Sequence, residues 1–203
     1  MFYKFSRFIC YLAAKMFFHL EIQGEDNFKK VKGAVYAVNH ASYLDPVLAG
    51  VSTLRPVYYL ARKTLFRTRF SNWLLRNVNA VPFNRDAADS STLRKVIQLL
   101  KEDKIVLVFP EGTRSLDGRL QKAHAGVGFI VLKSGVPVVP AYVHGSYKIF
   151  PKNRKFFKIA KARVTIGEPI YFDAWLKKER IEKSDYEAVA DLIMKKIALL
   201  AEK

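Results

Sequence analysis

Six short apolar runs recur along this chain, at residues 34–38, 57–61, 78–83, 105–109, 136–143 and 163–166. Their length and their content of β-branched and aromatic residues read as β-strands. Helix-like segments lie between several of them. Residues 44–52 follow the first run, 64–77 are basic and aromatic, and 122–133 form a short glycine-containing stretch. From Ala88 to Glu102, Leu93, Val96, Ile97 and Leu100 fall on one helical face. A final helix is announced by Ser184-Asp185-Tyr186-Glu187, a capping-box pattern, and carries Val189, Leu192, Ile193, Ile197 and Leu200 on one stripe. Strands alternating with helices predict a single α/β domain, its sheet mostly parallel and flanked by helices. At 203 residues the chain can bury a substantial core, and it carries no repeat, low-complexity tract or long linker.

Chemistry gathers where two of these strands should end. Val35-Tyr36-Ala37-Val38 runs into Asn39-His40-Ala41-Ser42-Tyr43-Leu44-Asp45. Ile105 to Phe109 runs into Pro110-Glu111-Gly112-Thr113-Arg114-Ser115. Open α/β sheets build their sites at the carboxyl ends of strands. A neutral imidazole is well matched to proton removal near neutral pH but needs a second group to fix its tautomer. Asp45 can serve His40 in that way if the chain turns back, as Pro46 and the following helix start suggest. Ser42, two residues from His40, is poorly placed as an attacking serine, and no G-x-S-x-G elbow occurs. The predicted nucleophile is therefore a hydroxyl of the substrate. In the competing reading Asn39, Ser42 and Asp45 cap a helix and His40 is structural. Arg114 can bind an anion, Glu111 can orient it, and the amides of Gly112 and Thr113 can add donors. Arg85 and Lys122 supply further cations. Together they describe a site for a phosphorylated alcohol.

The charge balance points the same way. There are 35 Lys and Arg against 18 Asp and Glu, a net +17, and no acid lies between Pro46 and Arg85 or between Gly118 and Gly167. Such fields attract anionic lipid, phosphorylated substrates or nucleic acid. The N-terminal stretch, Met1 to Phe18, mixes aromatic residues with Lys4, Arg7 and Lys15, and its longest uncharged segment is seven residues. A spanning helix needs about 20 mostly apolar residues. An interfacial helix fits better, with rings in the acyl boundary and cations at the headgroups. A single cysteine, Cys10, rules out an internal disulfide framework and a cysteine zinc cage.

Four segments resemble, in order and spacing, the motifs of glycerolipid acyltransferases: Asn39-His40-x-Ser42-x-x-Asp45, Val81 to Arg85, Phe109 to Ser115 and Val136 to Pro140. The likeness is strongest to bacterial 1-acylglycerol-3-phosphate (lysophosphatidic acid) acyltransferases. The second segment departs from the family, which more often carries glycine and aliphatics before its arginine. The resemblance implies that His40 is the general base on the sn-2 hydroxyl, that Asp45 holds His40, and that the hydroxyl attacks an acyl-CoA or acyl-carrier-protein thioester directly. It implies that Arg85, Glu111, Gly112 and Arg114 bind the glycerol phosphate and that Val136 to Pro140 shapes the acyl or substrate pocket. Thr113 and Lys122 join the phosphate site on their position alone. Residues 1–22 are then a membrane-associated helix and 23–203 the acyltransferase domain. The enzyme would be monotopic at the cytoplasmic face, with membrane phospholipids, lysophosphatidic acid and the acyl donor as partners and phosphatidic acid as product.

No cofactor or metal is implied, because His19, His124 and His144 do not form ligand spacing with His40. Gly126 to Val131 half-mimics a nucleotide loop but follows no strand. Gly145 to Arg163 interleaves seven bases with Tyr147, Phe150, Phe156 and Phe157. Alone it reads as a nucleic-acid patch; in an acyltransferase it reads as a membrane or carrier-protein contact, and no nucleic acid is expected. The alternatives are acylation of glycerol 3-phosphate or another lysolipid, a non-catalytic basic lipid- or nucleic-acid-binding protein, and a thioesterase.

Overall fold

Ala34–Val38 is buried at every position, which only a central strand can be. The computed structural model, which describes residues 1–84 and 90–202, places it in the middle of a seven-stranded sheet. In chain order the elements are α1 (Phe2–Phe18), β1 (Glu21–Gln23), β2 (Ala34–Val38), α2 (Asp45–Val51), β3 (Val57–Arg62), α3 (Arg69–Asn77), β4 (Ala80–Phe83), α4 (Ser90–Lys101), β5 (Ile105–Val108), α5 (Ala125–Ser134), β6 (Val138–His144), α6 (Ser146–Ile149), β7 (Arg163–Ile166), α7 (Asp173–Leu176) and α8 (Lys183–Ala201). The strand order is β1-β7-β6-β2-β5-β3-β4, parallel throughout except where β7 runs antiparallel to β6. The expected single α/β domain is what forms.

Side chains alternate across the sheet and split the core into two layers. Ala34, Tyr36 and Val38 face a cluster shared with Ala14 of α1 and Leu48, Ala49 and Val51 of α2. Val35 and Ala37 face α4, α5 and α8, meeting Val96, Leu100, Val131, Ile193 and Ile197. Predicted stripes on the fourth and last helices are thus core faces. Connections after β2 and after β5 leave toward opposite layers, so the two loops part at the carboxyl edge of neighbouring strands. That divergence is the crevice in which open α/β sheets hold ligands.

Two details depart from expectation. The last helix starts earlier than Ser184: Glu182 is its N-cap, and the capping box pairs Glu182 with Asp185. Asp185 accepts from the Glu182 amide at 2.9 Å and from Lys178 Nζ at 2.5 Å, so its carboxylate is held below the usual range. β1 has only three residues, too few for a period to register. Arg85 lies outside the described residues.

α1 docks by one face. Arg7 donates to the carbonyls of Val51 and Thr53 at 3.2 and 3.0 Å, rather than reaching outward with Lys4 and Lys15. The hydroxyl of Tyr3 accepts from the Val57 amide, and Cys10, Tyr11 and Phe18 pack on the core. The other face leaves Phe5, Phe8, Ile9, Leu12 and Met16 exposed. Among the described residues, no helix is long and apolar enough to cross a membrane.

Candidate active site

β2 ends at Val38, and the chain folds back so sharply that the carboxylate of Asp45 caps its own loop. Its Oδ2 accepts from the amides of Ala41 and Ser42, each at 2.6 Å, and lies 2.9 Å from His40 Nδ1. Asp45 begins α2, but the N-cap position is Leu44 and makes no side-chain cap. The helix-capping alternative for Asp45 therefore fails: its side chain points back to the histidine. An ionised carboxylate only accepts, so Nδ1 carries the hydrogen and Nε2 keeps its lone pair. Asp45 is fully buried, and the His40 side chain keeps 12% of its surface. The imidazole lies flat on Phe109, centroids 3.9 Å apart and planes 14° apart. Orienter below and ring alongside leave one nitrogen for outside work.

The neighbouring residues are structural. Asn39 accepts from the Val143 amide at 2.7 Å, tying the loop to β6. Ser42 is buried, donates its hydroxyl to the Phe150 carbonyl at 2.8 Å and accepts from the Leu44 amide at 3.1 Å. A hydroxyl committed in both directions is not poised to attack an acyl group.

Glu111 joins the two loops. One oxygen accepts from the His40 amide at 2.7 Å and the other from the Gln121 amide at 3.0 Å, while Ser115 N–H donates to the His40 carbonyl at 2.7 Å. The backbone of the histidine is gripped from both sides by the Phe109–Ser115 loop. Glu111 therefore does not orient Arg114, as the sequence suggested. It is 2% exposed, and burial pushes its carboxyl up to about 7. Burial, with the nearby carboxylates of Glu111 and Asp45 adding to it, raises the Tyr142 hydroxyl.

Arg114 instead lies over the ring of Tyr43, its guanidinium carbon 3.5 Å from the centroid, with Nη1 buried and unpartnered among the described residues. A cation held on a ring with an unspent donor can receive an anion. The Gly112 amide donates to the Phe109 carbonyl at 2.9 Å and so is not free for one. Its glycine is required for another reason. Gly112 has φ +66°, and a Cβ there would lie 2.6 Å from His124 Cδ2. Gly112→Ala should cost about 1–2 kcal/mol of stability from the left-handed backbone alone and should lower activity further by shifting the loop. A thermal melt alongside a turnover assay checks this.

Thr113 is half-buried between Gly112 and Arg114, and Lys122 is exposed one residue beyond Gln121. Val138 to Pro140 run alongside β2 from Val35 to Ala37. Val138 pairs with Val35, at the far end of β2 from His40, and Val138 to Pro140 are core. β6 bonds the His40 loop through the Val143 amide. Tyr43, Phe109 and Gln121 were not singled out from the sequence. The first lies inside the His40 motif and could have been read from its aromatic partner for Arg114; a backbone amide such as that of Gln121 leaves no signal. Among the described residues, no group of three His, Cys, Asp or Glu is placed to hold a metal ion.

Comparison with known proteins fits this geometry. A family model described as Acyltransferase matches residues 19–144. The 1-acyl-sn-glycerol-3-phosphate acyltransferase of Bacillus subtilis (strain 168) is 30% identical over 153 residues, which are 75% of this chain and 74% of that one. The chloroplastic 1-acyl-sn-glycerol-3-phosphate acyltransferase BAT2 of Brassica napus is 34% identical over 176 residues, 83% of this chain, which spans about half (51%) of that protein's length. The crystal structure of the 1-acyl-sn-glycerophosphate acyltransferase PlsC from Thermotoga maritima superposes with a TM-score of 0.72 at 28% identity, covering 91% of this chain and 73% of that one. The segment matched by the family model, residues 19–144, contains both the His40–Asp45 turn and the Glu111–Arg114 loop that clasps it, and on that footing the chain belongs to the acyltransferase family.

Proposed function

We propose that this protein transfers a fatty acyl group from an acyl thioester to the sn-2 hydroxyl of 1-acylglycerol 3-phosphate, giving phosphatidic acid. The observation that carries this is the His40–Asp45 pair, with Nε2 left free among the described residues, clasped to the loop that presents Arg114. His40 Nε2 takes the hydroxyl proton as the oxygen attacks the thioester carbonyl, and Asp45 stabilises the imidazolium. The tetrahedral intermediate collapses with loss of the thiolate, and the imidazolium returns its proton to sulfur. A C–O bond has formed, a C–S bond has broken, and the base is regenerated. The committed hydroxyl of Ser42 supports direct transfer without an acyl-enzyme. Arg114 receives the phosphate, with Lys122, Thr113 and Arg85 as further contacts. Glu111 and Gly112 act on the loop's shape rather than on the anion.

Residues 1–22 hold the domain, 23–203, on the cytoplasmic face of a membrane through the unpartnered face of α1, where Phe5, Phe8, Leu12 and Met16 stand exposed beside Lys4 and Lys15. The donor is acyl-CoA or acyl-carrier protein, and the assay is run with each in turn. Purified protein in vesicles is given labelled donor with lysophosphatidic acid, with glycerol 3-phosphate, or with no acceptor. Product with lysophosphatidic acid alone is expected; product with glycerol 3-phosphate moves the protein to the first acylation, and free acid without acceptor makes it a thioesterase.

Arg114→Ala should raise the KM for acceptor far more than for donor. Tyr43→Ala should raise the same KM by about threefold to thirtyfold, the worth of a cation–π contact, while Tyr43→Phe keeps the ring and most of the affinity. A larger effect on donor KM would place the phosphate elsewhere.

A further inference from the structure

The segment between α6 and β7 is the longest stretch of the described chain without helix or strand that the site does not use, and it is tied down at both ends. At its start, Tyr43 N–H donates to the Phe150 carbonyl at 3.0 Å, Ser42 and Pro151 form an isolated antiparallel bridge, and the Lys158 amide donates to the Ile149 carbonyl at 2.8 Å. At its end, the Ala162 amide donates to the carbonyl of Phe18, the last residue of α1, at 2.9 Å. The segment is thus a strap between the His40 loop and the N-terminal helix.

Its side chains are turned outward. Phe156, Phe157 and Ile159 are 81%, 57% and 71% exposed, and the Phe157 ring meets the Phe18 ring edge-on at 6.2 Å. Lys152, Lys155, Lys158 and Lys161 alternate with them, all exposed, in a region with no acid from Gly118 to Gly167. Folding gains nothing from three large apolar residues in water. An acidic carrier protein would match the lysines but leave the rings unexplained. Rings flanked by long cationic side chains match the headgroup boundary of an anionic bilayer, where aromatic bodies bury and ammonium groups reach back to phosphate.

We propose that residues 152–161 form a second lipid-contacting element, which enters an anionic membrane surface beside α1 and holds the His40 loop at the level of the headgroups. This deepens the membrane reading above, and its test reads binding rather than turnover, so it stands or falls separately from acyl transfer. Trp73 and Trp175 are the only tryptophans. In the full chain carrying Trp73→Phe and Trp175→Phe, Phe156→Trp makes a single reporter. On vesicles of phosphatidylcholine with phosphatidylglycerol, its emission should shift to the blue and be quenched by brominated lipid. Emission left water-like and unquenched while the chain cosediments overturns the proposal. Replacing Phe156, Phe157 and Ile159 by serine should weaken binding to these vesicles by about tenfold or more. Replacing the four lysines by glutamine should weaken it by about a thousandfold, with little change on phosphatidylcholine alone. The replaced Phe156, Phe157, Ile159 and lysine positions are exposed, so these replacements should leave melting temperatures unchanged. Vesicle affinity unchanged in both sets, with turnover lost only for a carrier-protein donor, would make the strap a protein-docking site.

Discussion

His40→Ala should lower kcat/KM for acyl transfer by about 10²–10⁴-fold, the contribution of a positioned general base, while vesicle binding stays intact. The geometry makes this sharper than a generic histidine knockout. Nδ1 is spent on Asp45 and the ring rests on Phe109, so Nε2 is the only atom with a function to lose. Asp45 separates orientation from folding. Asp45→Ala strands the buried amides of Ala41 and Ser42, at about 1–3 kcal/mol for each unsatisfied group, so it should lose stability and activity together. Asp45→Asn keeps an acceptor at that position but removes the charge that stabilises the imidazolium. It should keep most of the melting temperature and lose most of the turnover. Activity of His40→Ala within about tenfold of the parent would remove His40 from the role of base and leave the transfer to another group.

What the sequence could disclose depended on how far each signal travels along the chain. The six strands, the two core-facing helix stripes and the His40–Asp45 turn are local patterns, and each formed where its residues suggested. Partners far apart in sequence were misassigned. Glu111 and Arg114 share a loop, so a pairing between them was the simplest inference. The fold instead brings backbone amides of His40 and Gln121 to the carboxylate and Tyr43 to the guanidinium. Within the Val136–Pro140 segment, parallel pairing sets Val138 to Pro140 beside Val35 to Ala37 in the core. α1 divides the two interfacial expectations: its aromatic face is free, but Arg7 is taken by carbonyls at the end of α2.

Glu111 carries the second large effect, because one side chain fixes the backbone of the base. Glu111→Gln presents one acceptor oxygen and one NH₂ to two backbone donors, so one contact must turn repulsive. The amide of His40 or of Gln121 is then left unpaired, and the loop carrying Arg114 should separate from the loop carrying His40. Turnover should fall by about 10²-fold or more, since misplacing a reacting group by about 1 Å has that effect. Titration supplies the independent check. Burial holds this carboxyl at about 7, against the ordinary value of 4.5 that applies once the chain unfolds. Between those values the folded state binds more protons than the unfolded one, so unfolding free energy falls as pH rises. The contribution is fully present below about pH 4.5 and lost by the time pH passes 7. It amounts to roughly 3 kcal/mol at most, at about 1.4 kcal/mol per pH unit. Glutamine does not titrate. The stability of the parent minus that of Glu111→Gln, from urea unfolding at stepped pH, should therefore shrink across this window and level off above it. A difference that instead grows with pH would mean that the two amide contacts outweigh burial and that the carboxylate is held charged, with the clasp strongest in alkaline solution.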